Sequence, residues 1–260
     1  MGLTLEQAIA RVPFLKDAKD IKTTELKGGI TNLNYKIESG GKAYVLRVTG
    51  ETTGLLGIKR DVEYASNKAA GELGIAPEVK GEFNVFRRVE HLIKISKEHN
   101  SKFPFDFDWI LQMMHGVEEA LLKDPYVPTP CHCDLLNLNF LDEETPGEIG
   151  EIRLLDWEYA GMGDIFFDLG NFCHHHRFSD ELVQVLLQEY FGEVTPKVFA
   201  HLKLMWPMST IHEAMWGTTQ TGISTLDEDF QGYADLWFAR TREAMIDPRW
   251  PQWLKDVAKK

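Results

Sequence analysis

The chain changes its hydrophobic period near residue 84, and that change limits the folds open to it. Before it, short β-prone runs are cut by two glycine pairs, Gly28-Gly29 and Gly40-Gly41. After it, apolar residues recur at helical spacing through VFRRVEHLIKISKEH (85–99), WILQMMHGVEEALLKD (109–124), DELVQVLLQEYF (180–191), KVFAHLKLMW (197–206) and DLWFARTREAMI (235–246). Ser39-Gly40-Gly41 between NYKIE and KAYVLRV predicts a β-hairpin. Lys59 to Leu73 reads as a helix closed by Gly74 and Pro77. Two apolar runs interrupt the helical part, NLNFL (137–141) and EIRLLDW (151–157). The Pro/Gly-containing EETPGEIG between them makes a second hairpin plausible. The expectation is an α+β protein in two lobes: a small β-rich lobe over 1–83 and a larger, mainly helical lobe over 84–260.

The balance of charge excludes several partners. A formal charge of −12 over 260 residues argues against nucleic acid, whose phosphates need clustered Lys and Arg, and against an acidic membrane surface. It weakly favours a cationic small molecule. With 43% hydrophobic and 26% charged residues, the composition is that of an ordinary soluble domain. The first fifteen residues read as a short amphipathic helix and not a signal peptide, and no apolar run reaches the roughly 18 residues of a membrane span. Three cysteines are no disulfide framework and fit a reducing, cytoplasmic setting.

Cys131-His132-Cys133-Asp134 and Cys173-His174-His175-His176 together invite a zinc reading. Cys131-x-Cys133 is too close for the usual ligand spacing, however, and successive residues of a helix cannot all face one ion. A different chemistry fits the same stretch. His132-x-Asp134-x-x-x-x-Asn139, followed by Asp156 in LLDW, places polar residues at the borders of β-prone runs. Phosphoryl transfer needs a carboxylate to orient and deprotonate the attacking hydroxyl. It also needs an amide oxygen and a second carboxylate to hold Mg²⁺ on the phosphates. Asp134, Asn139 and Asp156 can supply that set. The plainer alternative makes Asp134 and Asn139 turn residues and Asp156 a helix cap.

HCDLLNLNFL and LLDWEYAGMGDIFFDLGN, with KGGITNLNYKI, YVLRVTG, IHEAMWGTTQ and YADLWFAR, resemble the choline/ethanolamine kinases, in particular their bacterial branch. That family lies within the aminoglycoside-phosphotransferase and protein-kinase-like superfamily. The resemblance implies a two-lobed kinase-like fold and an ATP- and Mg²⁺-dependent transfer to the hydroxyl of choline. Asp134 would be the base, His132 a structural member of its loop, and Asn139 and Asp156 the Mg²⁺ ligands. Gly28, Gly29, Thr31 and Asn32 would form the nucleotide loop. Arg47 would stand where the family holds the phosphates with a strand lysine, and Glu63 would pair with it. Tyr159 and Trp216 match the positions that line the choline pocket, and Glu213 lies one helical turn before Trp216. Trp206, Tyr233 and Trp237 are further candidates, because a quaternary ammonium is bound by ring faces.

Two departures stand out. Asn137 replaces the usual proline of the catalytic loop, which loosens its backbone. After Gly74–Val79 the resemblance implies two more strands and the adenine-receiving hinge. Here KGEF runs almost directly into NVFRRVEHL, so the small lobe is expected to be incomplete, with a similar abruptness at 105–116. Ethanolamine, an aminoglycoside, or a catalytically dead ligand-binding role remain the alternatives.

Overall fold

The computed structural model describes residues 4–10, 12, 15, 18, 20–26, 32–49, 83–143 and 151–259. It divides into two compact units, Met1–Ile58 and Lys59–Lys260. In the first, a short helix α1 (Leu5–Ile9) starts at a capping box. Thr4 Oγ1 accepts from the Gln7 amide, and Gln7 Oε1 accepts from the Thr4 amide. Strands β1 (Lys22–Leu26), β2 (Asn32–Ser39) and β3 (Lys42–Thr49) form an antiparallel sheet in that order. The hairpin expected at Ser39-Gly40-Gly41 is there. Ser39 pairs with Lys42, and both glycines adopt positive φ, 58° and 75°. That is the two-residue turn glycine pairs favour, because its backbone twist matches the strands. Asp20 pins the tip by accepting from the Gly40 amide at 2.8 Å and the Ser39 hydroxyl at 3.0 Å.

The second unit is mostly helical. Helix α2 (Val85–Glu98) starts at the Asn84 cap, and α3 (Phe107–Leu121) follows. The passage at 105–116 is a turn followed directly by α3. Strand β4 (Thr129–Cys131) leads to the loop that carries Asp134, and β5 (Phe140–Glu143) pairs antiparallel with β6 (Glu151–Leu154) as the second expected hairpin. Strand β7 (Gly161–Gly163) returns to pair with β4. Then come α4 (Ile165–His175), α5 (Asp180–Phe191), α6 (Pro196–Ile223), α7 (Phe230–Met245) and α8 (Trp250–Val257). Among the described residues, no helix is long and apolar enough to cross a membrane.

Helix α6 corrects the sequence reading. The segment Lys197–Trp206 is only the start of a 28-residue helix that continues through Pro207 to Ile223. Proline removes one backbone hydrogen bond from a helix interior. Here burial on every side outweighs that loss: Leu202, Leu204, Met205, Met208, Ile211, Ala214 and Met215 are all at most 2% exposed. Each large apolar side chain so buried contributes about 1.5–3 kcal/mol. Two glycines let neighbours approach this central rod. A Cβ on Gly170 of α4 would meet the Trp206 backbone nitrogen at 2.9 Å, and one on Gly217 would meet the Tyr233 ring at 2.8 Å. The close packing of α4 and α7 on α6 sets the positions of the site residues those helices carry.

Candidate active site

The loop between β4 and β5 is held from below by α4. Asp168 accepts the His132 amide on Oδ2 at 2.6 Å and the Cys133 amide on Oδ1 at 2.8 Å. One turn on, Asn171 Oδ1 accepts the Leu135 amide at 2.5 Å, while its Nδ2 donates to Ser209 Oγ on α6 at 2.8 Å. Residues three apart share a helix face, so this pair staples three backbone amides of the loop, those of His132, Cys133 and Leu135, to the helical core. Burial raises the Asp168 carboxyl to about 6 against the lowering effect of those two amides. Cys133 takes a left-handed backbone, φ 66°, which costs a non-glycine residue about 1–2 kcal/mol and turns the chain into Asp134.

His132 ties this loop to the next. Burial lowers its imidazole to about 4, so at neutral pH the ring is uncharged. Its Nε2 lies 2.8 Å from the Leu155 carbonyl oxygen and must carry the proton that bond requires. The ring packs on Trp157 at 4.4 Å, and the Leu155 amide donates to the Asn139 carbonyl oxygen at 2.9 Å. Two more buried imidazoles, His174 and His212, are held at about 3 and 4 by the same desolvation. These folded values lie below the unfolded one. The stability they carry is therefore complete above pH 6.5 and is lost as pH falls toward 4, at up to about 1.4 kcal/mol per pH unit for each imidazole. Asp168, raised to about 6, and Asp134, also raised, offset two of the three over the same window. Thermal melts at pH 7.5 and 4.5 are expected to show a lower Tm at 4.5.

The loop brings Asp134, Asn139 and Asp156 to one place. Asn139 Nδ2 donates to the Asp134 carbonyl at 2.8 Å and to its carboxylate at 3.2 Å. Asp156 follows β6 in a left-handed conformation, φ 66° and ψ 58°, at the head of a single 3₁₀ turn, Trp157–Tyr159. Such backbone strain clusters at functional positions, where the surroundings hold it. Burial pushes the Asp134 carboxyl well above the usual range, and Glu213, Asp156 and Glu158 push it further. So many carboxylates in one place favour a cation among them. Asp156 and the side-chain Oδ1 of Asn139 are hard donors of the kind Mg²⁺ takes.

On the far side stands Glu213 of α6. Burial alone would raise it, but the His175 imidazole 3.8 Å away, His212 and the hydroxyl of Tyr233, donating at 2.6 Å, hold it at about 2. The Glu213 carboxylate is therefore charged at every relevant pH. Rings surround it: Trp216 lies 5.6 Å from Tyr233, and Tyr233 5.9 Å from Trp237. Tyr159 faces His212 at 6.0 Å, but the Arg88 guanidinium lies 5.0 Å from its ring centre, so one face of this ring already holds a cation. Trp206 is not part of this set. It lines a separate cavity, with Lys203 4.5 Å over its ring.

Of the nucleotide-side residues, Gly28, Gly29, Thr31 and Glu63 lie outside the described residues, as does the whole Lys59–Leu73 segment. Asn32 and Arg47 are described in their backbone only, in β2 and β3. The sequence reading missed Asp168, Asn171, Glu158 and Arg88. For the first two a signal was present, since Asp and Asn three apart in the apolar IFFDLGNF would not be there without buried partners.

The fold is shared with solved structures described as choline and ethanolamine kinases. The structure aligns with that of a choline/ethanolamine kinase family protein from Mesorhizobium loti with a TM-score of 0.79 and 24% identity, over 97% of each chain. It aligns with choline kinase LicA from Streptococcus pneumoniae with a TM-score of 0.73 and 20% identity, over 87% of this chain and 94% of that one. In sequence, 216 residues are 25% identical to protein LicA of Haemophilus influenzae, 64% of this chain and 62% of that protein. Residues 84–182, the stretch from α2 into α5, match the choline/ethanolamine kinase family.

Proposed function

We propose that the chain is an ATP- and Mg²⁺-dependent kinase that transfers the γ-phosphoryl group to the hydroxyl of choline. The observation that carries this reading is the pairing of two differently tuned carboxylates. Asp134 is pushed toward holding a proton, and Glu213, close enough for its charge to be felt there, stays ionised. A carboxylate with raised proton affinity is a stronger base provided it enters the reaction ionised, which a cation bound beside it favours. Asp134 would take the proton as the substrate oxygen bonds to phosphorus and the bond to the leaving ADP breaks. Asn139 would keep the Asp134 carboxylate aimed through its Nδ2 bond. Asn139 and Asp156 would hold Mg²⁺, which when bound supplies positive charge against that developing on the phosphate oxygens. Glu213, with Trp216, Tyr233 and Trp237, offers a fixed negative charge and ring faces to a cationic head group.

A second reading within the family is ethanolamine. The observation that favours it is Arg88 on the Tyr159 ring. That contact leaves less free aromatic face for a methylated ammonium, while Glu213 can accept hydrogen bonds that only a primary amine donates. Glu213→Gln separates the two. If choline is the substrate, held mainly by rings, KM is expected to rise about 5–10-fold, the loss of roughly 1 kcal/mol. If ethanolamine is, the loss of a charge-assisted hydrogen bond raises KM by about 10–100-fold. Steady-state kinetics with both amines measure this, and an unchanged KM for both would remove Glu213 from the amine site.

A further inference from the structure

A cavity of about 540 Å³ opens on the other side of the aromatic cluster, in the helical unit alone. His174 and Arg177 from the end of α4, Lys203 and Trp206 of α6, Arg240 of α7 and Trp253 of α8 line it. The volume is that of a small-molecule pocket. In a chain of net charge −12, its wall gathers three cations. Lys203 is committed to Asp180 at 3.0 Å, and the lining carboxylate Asp247 is committed to Arg249 at 2.7 Å. Among the described residues, neither Arg177 nor Arg240 is in an ion pair. Burial lowers the Arg240 guanidinium, and Arg177 lowers it further by repulsion, with the exposed Glu243 as partial counterweight.

His174 gives a second, independent sign. It is 4% exposed, lines the cavity, and its buried Nε2 has no hydrogen-bond partner. Buried polar atoms in folded proteins nearly always have partners, and a small turn of this imidazole would bring its unpaired nitrogen to a ligand in the cavity. Two guanidiniums that repel each other are neutralised by a dianion and not by a monoanion. Their planar donors match phosphate oxygens in pairs.

We propose that this cavity is a second ligand site, distinct from the kinase centre, that binds a small phosphomonoester through Arg177, Arg240 and His174. Trp206 and Trp253 supply apolar walls for whatever organic group the phosphate carries. The site does not depend on the reading of the reaction given above.

Calorimetric titration of the full chain tests it, with inorganic phosphate and with glycerol phosphate, a phosphomonoester without a cationic head group, at matched ionic strength and without nucleotide. One equivalent of dianion is expected to bind. In Arg177→Gln/Arg240→Gln, which loses two charge-assisted contacts, affinity is expected to fall at least tenfold. Arg177 is exposed, so Arg177→Gln alone preserves the fold and is expected to weaken binding at least threefold. A melt of the double variant checks its folding. Tighter binding of glycerol phosphate than of phosphate would assign the occupant an organic body; equal binding would make free phosphate sufficient. No binding of either probe at millimolar concentration would overturn the proposal. So would undiminished affinity in Arg177→Gln and the double variant.

Discussion

Asp134→Ala is expected to lower kcat by about 10²–10⁴-fold, the contribution of a positioned general base. Nucleotide affinity should remain largely intact. The same substitution removes one carboxylate from a cluster in which Glu213, Asp156 and Glu158 all raise it. Without added Mg²⁺, the variant is therefore expected to melt no lower than the parent and to gain stability as like-charge repulsion is relieved. Loss of activity with retained or raised Tm separates a catalytic role from a structural one. Steady-state kinetics and thermal melts on the same preparation measure both. Near-normal kcat would remove Asp134 from its assigned role.

Asp168→Ala should behave in the opposite way. Its carboxylate satisfies two buried amides, those of His132 and Cys133, at 2.6 and 2.8 Å. Leaving buried donors without an acceptor costs about 1–3 kcal/mol each, so destabilisation of about 2–5 kcal/mol is expected. The loop those amides belong to carries Asp134, and Cys133 keeps its left-handed backbone only while its surroundings enforce it. Activity should therefore fall along with Tm. Asp168→Asn retains one acceptor and should recover part of both. A variant with wild-type Tm would show that the loop is held by other means.

These two aspartates also mark what the sequence could and could not disclose. That Asp134, Asn139 and Asp156 come together was legible because their spacing bracketed a β-hairpin, and a hairpin brings residues seventeen apart together through local pairing. The Gly40-Gly41 turn was legible for the same local reason. Asp168 was not singled out: its place in an apolar helix signals a buried partner, but the partners are backbone N–H donors thirty-five and thirty-six residues away, which a one-dimensional pattern does not name. The extent of α6 was hidden by Pro207, a residue that ends helices when propensity decides and is tolerated when burial on all sides decides. Trp206 and Trp237 illustrate a further limit. Both are late tryptophans at helical spacing, yet one faces the cationic cavity and the other joins the rings beside Glu213. Composition signals aromatic surfaces but not which face of a helix bundle they serve.

The most direct test of the account is a phosphorylation panel in which the purified chain is given labelled ATP and Mg²⁺ with choline, ethanolamine or an aminoglycoside as acceptor. Label transfer to choline that exceeds transfer to the others, and that is abolished by chelating Mg²⁺ and by Asp134→Ala, is the predicted result. Transfer to none of them, or preferentially to the aminoglycoside, would contradict it.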